Sequence, residues 1–265
     1  MSRIEKALEK ASLMRRGEGE EVARPSRTTS AGNLLHLLDV EPLKVSNPFL
    51  TVSGKVDRSI CEEYNKLQSL IVSFAHGTTF RNTLLITSSV SEEGKTLTAL
   101  NLAFALARGY DHSVLLVDAD LRRPSVHRYL GLTPEVGLIQ YLKDDIPLPR
   151  ALIKTGIGKL VVLPAGGSVE DPVELLSSHR MKDLVEELKH RYPERIILFD
   201  SPPAMGFADA QVMTDLVDGT LFVVREGRVH RAQLKKTLEY FKHKNLVGAI
   251  MNDASNLVRT GYGYY

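Results

Sequence analysis

Read as a pattern of apolar and polar positions, the chain is a series of short buried runs separated by longer stretches with helical period. Residues 84–86, 114–117, 160–163, 196–199, 220–224 and 247–251 are mainly apolar over the length of a strand, as expected of strands covered on both faces. Residues 97–106 are rich in Ala and Leu, which favours helix. Short helices are predicted near 125–130, 138–142 and 208–216, a long amphipathic helix over 173–191, and a further helix over 230–243. Strands that alternate with helices predict an α/β fold, a mostly parallel sheet with helices on both faces.

Ahead of this core, residues 57–75 carry Ile60, Leu67, Ile71 and Phe74 on one helical face, with Asp57 or Ser59 placed to cap it. Residues 3–16 predict a small amphipathic helix with Ile4, Ala7, Leu8 and Ala11 on one stripe, either a docking element or a helix packed on its own domain. From Gly17 to about Ser30 the composition turns to Glu, Arg, Ser, Thr and Gly, as in a flexible linker. Residues 34–38 form a short helical patch, and 42–52 read as extended, irregular chain. The expected division is an N-terminal helix over 1–16, a linker over 17–56, a core domain over 57–251 and a tail over 252–265.

The chemistry begins at the first strand of the core. Ser89-Val90-Ser91-Glu92-Glu93-Gly94-Lys95-Thr96 follows an apolar strand and opens the helix that starts near Leu97. That context makes Gly-Lys-Thr a phosphate-binding loop of the P-loop NTPase type. Backbone N–H groups and the positive helix end receive a triphosphate, Lys95 reaches its outer phosphates, and the Thr96 hydroxyl faces Mg²⁺. Ser89 stands where such loops carry their first glycine. Two more strands end in carboxylates, one in Asp118-Ala119-Asp120-Leu121-Arg122 and one in Asp200-Ser201-Pro202-Pro203. Ligands of open α/β sheets sit at the carboxyl ends of strands, so Lys95, Thr96, Asp118, Asp120 and Asp200 are expected on one edge. Taken singly, each Asp also suits a helix cap or a turn.

Asp118-x-Asp120-x-Arg122 after one apolar strand, Asp200-x-Pro202-Pro203 after another, the deviant phosphate loop and the tyrosine-rich end resemble the bacterial tyrosine kinases (BY-kinases). Met1-Ser2-Arg3-Ile4-Glu5-Lys6-Ala7-Leu8-Glu9-Lys10-Ala11 resembles the start of the exopolysaccharide-associated autokinases found beside exosortase systems. The resemblance implies an ATP- and Mg²⁺-dependent protein-tyrosine autokinase of exopolysaccharide biosynthesis and export. It implies catalytic roles for Lys95, Asp118, Asp120, Arg122 and Asp200. Thr96, Asp118 and Asp200 fall in the metal region, and Asp118 or Asp120 would orient or deprotonate the tyrosine hydroxyl. Residues 89 and 91–97, Ser89 and Ser91 to Leu97, would bind nucleotide, with Asn252 at a position that contacts adenine or forms a turn. Tyr262, Tyr264 and Tyr265 would be the phosphoacceptors. Expected partners are other copies of the chain, a membrane chain-length-determinant adaptor on a separate chain, and a tyrosine phosphatase.

Two departures bear on that expectation. Glu92 stands where many relatives have glycine, which restricts the loop backbone and adds a carboxylate near the phosphates. On the 57–75 helix the family's Glu-x-x-Arg-x-x-Arg assembly pattern becomes Glu62, Asn65 and Gln68, which weakens the expected ring. The alternatives are a ParA/MinD-like ATPase switch, which would carry a lysine where this chain has Val90, and a catalytically weakened scaffold of a polysaccharide export complex.

Composition adds only bounds. The 265 residues suffice for one large α/β domain, and 43% hydrophobic with 25% charged content is ordinary for a globular protein. A net charge of +2 argues against nucleic acid as partner. Cys61 is the single cysteine, which fits a reducing compartment. No apolar run approaches the ~18 residues of a membrane span and no signal peptide is visible, so the expectation is a cytoplasmic chain, brought to the membrane's inner face by a partner.

Overall fold

The computed structural model describes residues 40–76, 81–109, 112–191, 194–242 and 244–255. By internal contact the chain divides into units 1–36 and 37–265, and every described residue lies in the second. The expected helix over 3–16, the patch at 34–38, the linker as far as residue 39 and the three tail tyrosines lie outside the described residues.

The expected α/β architecture forms. Seven strands make one sheet: β1 (Thr83–Ser88), β2 (Ser113–Asp118), β3 (Ile153–Lys154), β4 (Leu160–Leu163), β5 (Arg195–Asp200), β6 (Gly219–Arg225) and β7 (Leu246–Asn252). Their order is β3-β4-β2-β5-β1-β6-β7. All neighbours pair in parallel except β3, which runs antiparallel to β4 at the edge. The sequence pattern missed β3, since Ile153-Lys154 is too short to show a period. From β1 the chain steps outward to β2 and β4, then returns with β5 inserted between β2 and β1 before stepping out the other way. That reversal puts a crevice at the carboxyl ends of β1, β2 and β5.

The inner strands β1, β2, β4 and β5 are buried at every position, which is why they read as unbroken apolar runs. One face, with Leu84, Ile86, Val114, Leu116, Ile196 and Leu198, packs in a single cluster with Leu100, Ala103 and Phe104 of the helix Lys95–Arg108. That helix is buried almost throughout, and its Ala residues let it lie close on β1, β2 and β5. Side chains such as Phe104 or Leu100, fully buried, contribute about 1.5–3 kcal/mol each. Opposite, Met181, Leu184, Val185 and Leu188 form the buried stripe of the helix His179–Arg191 at i, i+3, i+4, i+7 spacing.

Two expectations are corrected here. The stretch 173–191 is two helices, Val173–Ser177 and His179–Arg191, because Ser178 is extended (φ −61°, ψ 154°) and its hydroxyl accepts from the Met181 amide, 3.1 Å away. The described part of the expected linker, residues 40–56, is not loose. Leu50 is fully buried in the core cluster. Asn101, on the helix Lys95–Arg108, accepts from the Thr51 amide at 2.8 Å and donates to the Phe49 carbonyl at 3.1 Å. The Leu43 amide donates to the Thr155 carbonyl at 2.9 Å. These contacts strap the segment to the domain ahead of the helix Arg58–Ala75, which Asp57 caps by accepting from the Ser59 amide at 2.7 Å.

Candidate nucleotide and phosphoryl-transfer site

The loop between β1 and the helix Lys95–Arg108 is held by its own residues. Glu93 is fully buried, accepting from the Val90 amide at 2.8 Å and from the Arg225 amide at 3.3 Å. Gly94 caps the helix with φ 88°, and an added Cβ would lie 2.1 Å from the Asn252 side-chain nitrogen. Only glycine fits there. Asn252, at the end of β7, donates to the Glu93 carbonyl at 2.9 Å, so the last strand is pinned to the loop. Glu92 has φ 67°, the left-handed conformation that its position suggested glycine would supply. Its carboxylate pairs with Arg228, while Arg225 reaches its carbonyl at 3.4 Å. Ser89 is buried with an unpartnered hydroxyl.

The three carboxylates meet as the open-sheet rule predicts. In the parallel register Asp118 lies beside Asp200 on adjacent strands, so their Cα atoms are about 4.8 Å apart. The Thr96 hydroxyl donates to Asp200 at 2.6 Å, and Lys95 Nζ lies 3.1 Å from Asp120. Asp118 accepts from the Ser125 and Val126 amides, each at 3.1 Å, and the Ser125 hydroxyl donates to Thr96 Oγ1 at 3.2 Å. One oxygen of Asp118 and one of Asp200 are buried without a partner. A cavity of about 2110 Å³ opens beside them, lined among others by Gly94, Lys95, Thr96, Leu97, Asp120 and Asn252.

Burial and mutual repulsion set the charges. Desolvation, then the Asp200 charge, pushes the Asp118 carboxyl well above the usual carboxylate range. Desolvation raises Asp200 to about 6, against the opposing pull of Lys95 and the Thr96 hydrogen bond. Burial would depress the Lys95 ammonium, but Asp200, Asp120 and Asp118 outweigh it and hold the pKa above 10.5. The site is thus a fixed cation facing a crowded set of carboxylates.

Arg122 is brought to the rim of the same cavity but is engaged elsewhere. It pairs with buried Asp209 at 3.0 Å and with Asp171 at 3.4 Å, bonds the Glu170 carbonyl, and lies 4.6 Å over the Phe207 ring. Its sequence position beside Asp120 indicated the edge but not these partners. Ser125, Arg225 and Arg228 escaped the sequence reading. The two arginines had a usable signal, since they sit at and just beyond the carboxyl end of β6. The role of Ser125 depends on a fold contact with Thr96 that no local pattern encodes.

A phosphate loop at a doubly wound sheet edge, faced by three strand-end carboxylates, defines a nucleotide-binding domain, and the chain matches the CobQ/CobB/MinD/ParA nucleotide binding domain over residues 84–257. Within that fold it belongs to the bacterial tyrosine-protein kinases. It is 36% identical to tyrosine-protein kinase YwqD of Bacillus subtilis over 77% of this chain and 85% of that one. The kinase domain of Escherichia coli tyrosine kinase Etk superposes with a TM-score of 0.70 at 31% identity, over 82% of this chain and 85% of the domain. The chimerical protein CapA2B2 gives 0.68 at 27%, over 83% and 97%. The chain spans only 30% of full-length Etk from Escherichia coli K12. No helix among the described residues is long and apolar enough to cross a membrane.

Proposed function

We propose that this chain is an ATP-dependent autokinase whose acceptors are Tyr262, Tyr264 and Tyr265. The observation that carries the reading is the pair of orphaned, buried oxygens on Asp118 and Asp200 beside the Thr96 hydroxyl. Two carboxyl oxygens and a hydroxyl suit Mg²⁺, whose charge would favour the ionised form of both acids. When bound, Mg²⁺ would neutralise phosphate charge.

The chain's own groups would do the rest. The loop amides and Lys95, released from Asp120, hold the outer phosphates of ATP. Asp120 lines the cavity whereas Asp118 lies beneath it, so Asp120 is the better placed to accept the tyrosine proton. The phenol oxygen bonds the γ-phosphorus as the bond to the β–γ bridging oxygen breaks, and ADP leaves. Tyrosine's pKa near ~10 makes proton transfer to a carboxylate late. Asn252 borders the same cavity, and by the family resemblance it would contact the adenine. Arg122 acts through its bonds, joining the loop after β2 to Glu170 after β4 and to Asp209 after β5.

The resemblance supports a place in exopolysaccharide biosynthesis, with a separate membrane chain-length determinant as adaptor and a phosphatase that resets the tail. Each phosphotyrosine adds roughly −1.5 to −2 charges, so a fully modified tail is repelled by the three carboxylates. Incubation with Mg²⁺ and ATP, followed by detection of phosphotyrosine, tests the reading. Label on the tail that disappears in Lys95→Met with unchanged circular dichroism is expected. ATP hydrolysis without phosphotyrosine would instead make the chain a MinD-like switch.

A further inference from the structure

Two positions after Asp120 the chain carries Arg122-Arg123-Pro124, and a few residues on His127-Arg128. The fold gathers Arg123, His127 and Arg128 around a second cavity, of about 700 Å³, whose other wall includes Gly166, Gly167 and Ser168. At φ 78° and 134°, Gly166 and Gly167 take a backbone that favours glycine, and both line the cavity with no side chain of their own. Arg122, Arg123 and Arg128 border both this cavity and the larger one that holds Lys95. The two are adjoining compartments, and the Arg123 amide itself donates to Asp120 at 3.1 Å.

The arginines differ in their commitments. Arg122 is fully engaged by Asp209, Asp171, the Glu170 carbonyl and the Phe207 ring. Arg123 and Arg128 are exposed and, among the described residues, form no ion pair with a carboxylate. Two guanidinium forks without a carboxylate partner among the described residues and an imidazole, lining one cavity, fit an oxyanion with several acceptor oxygens. The chemistry next door makes one: it converts a neutral phenol into a phosphate monoester. Three tyrosines lie within the last four residues, so a modified tyrosine is never more than three residues from the next acceptor.

We infer that the Arg123–His127–Arg128 cavity is a phosphotyrosine subsite, which holds a tail tyrosine phosphorylated in an earlier round while a neighbouring tyrosine enters the active site. The inference rests on the proposed role of the tail. It orders the reaction: the first transfer is slow and unassisted, and the next is helped by its product. One phosphate is accommodated, and further ones meet the three carboxylates and drive the segment out.

The test uses the full-length chain with its three tail tyrosines changed to Phe, and three peptides spanning residues 256–265. One peptide is unmodified, one phosphorylated at Tyr265, and one carries Tyr265→Glu. The phosphopeptide should show a KM about tenfold lower than the unmodified peptide, the gain of one charge-assisted contact in a solvated pocket, with similar kcat. Arg123→Gln with Arg128→Gln should erase that preference, read as the ratio of the two peptides' KM values within the variant, so that any change in basal rate cancels. Equal KM values for the two peptides in the parent chain would overturn the subsite, whatever the variant does. So would a preference that survives both substitutions, or a Glu peptide as good as the phosphopeptide. If the unmodified peptide takes no phosphate at all, the tail's proposed role fails first, and the two failures are distinguishable.

Discussion

Asp200→Asn should make the nucleotide-free protein more stable while removing its activity. The carboxylate is fully buried beside Asp118, and its pKa rises from 3.8 to about 6. At about 1.4 kcal/mol per pKa unit, that rise means ionised Asp200 destabilises the fold by about 3 kcal/mol. The sign follows from proton counts. Between 3.8 and about 6 the folded chain keeps a proton that the unfolded chain has lost, so stability falls as pH rises through that window. The full deficit is present above it. Asn keeps an oxygen to accept from Thr96, now 2.6 Å away, and discards the charge. At roughly 2–4 °C per kcal/mol, the melting temperature at pH 7.5 in chelator should rise by roughly 6–12 °C. The gain should shrink toward zero near pH 4. Phosphotyrosine formation should fall by orders of magnitude, and Mg²⁺ with ATP should stabilise the parent chain more than the variant. A melting temperature at or below the parent's at pH 7.5, or a gain independent of pH, would refute the argument.

Further outcomes follow from the same geometry. Glu92→Gly relieves a left-handed conformation and removes a carboxylate near the phosphates, so ATP should bind several-fold tighter by calorimetry, since exposed charge terms are roughly 1 kcal/mol or less. Unchanged affinity would show that Arg228 already neutralises this side chain. Leu50→Ala should lower stability by about 2–5 kcal/mol in urea titration, because the strap fills the core; a loss under 1 kcal/mol would mean that it does not. A Lys95→Met chain that keeps its tail, mixed with an active chain whose tail tyrosines are Phe, should acquire phosphate, and a bare tail would exclude transfer between chains. Sedimentation of the unphosphorylated protein at micromolar concentration should show weaker assembly than in relatives that keep both helix arginines, since Asn65 and Gln68 make no charge-assisted forks. A stable closed ring would contradict that.

Much of the fold and of the candidate site at the sheet's rim was legible in the chain, for a physical reason. Parallel strands buried on both faces have to be unbroken apolar runs, and the residue that ends such a run is delivered to the sheet's rim. Lys95, Thr96, Asp118, Asp120 and Asp200 were therefore placed by local pattern alone, and the fold brings them together. What stayed hidden depends on partners far away in sequence. Glu93 reads as one more loop carboxylate, yet it is the buried staple of the loop, bonded to the amide of Arg225. Residues 40–56 read as linker because polar composition dominates, although one leucine and one asparagine suffice to dock them. Ser178 splits a helix whose apolar period runs on without interruption.

The bond from Asn252 to the Glu93 carbonyl fixes more than a strand end. It roots the C-terminal segment at the phosphate loop itself, and Tyr262 follows Asn252 by ten residue steps. Fully extended, ten residues span at most ~36 Å. On the proposed role of the tail, each copy would carry its acceptors on a leash centred on its own phosphate loop, and the local concentration of tyrosine at any other site would depend on how far apart two such roots are held. Whatever sets that spacing, another copy or an adaptor, acts as a rheostat on phosphorylation without touching a catalytic group.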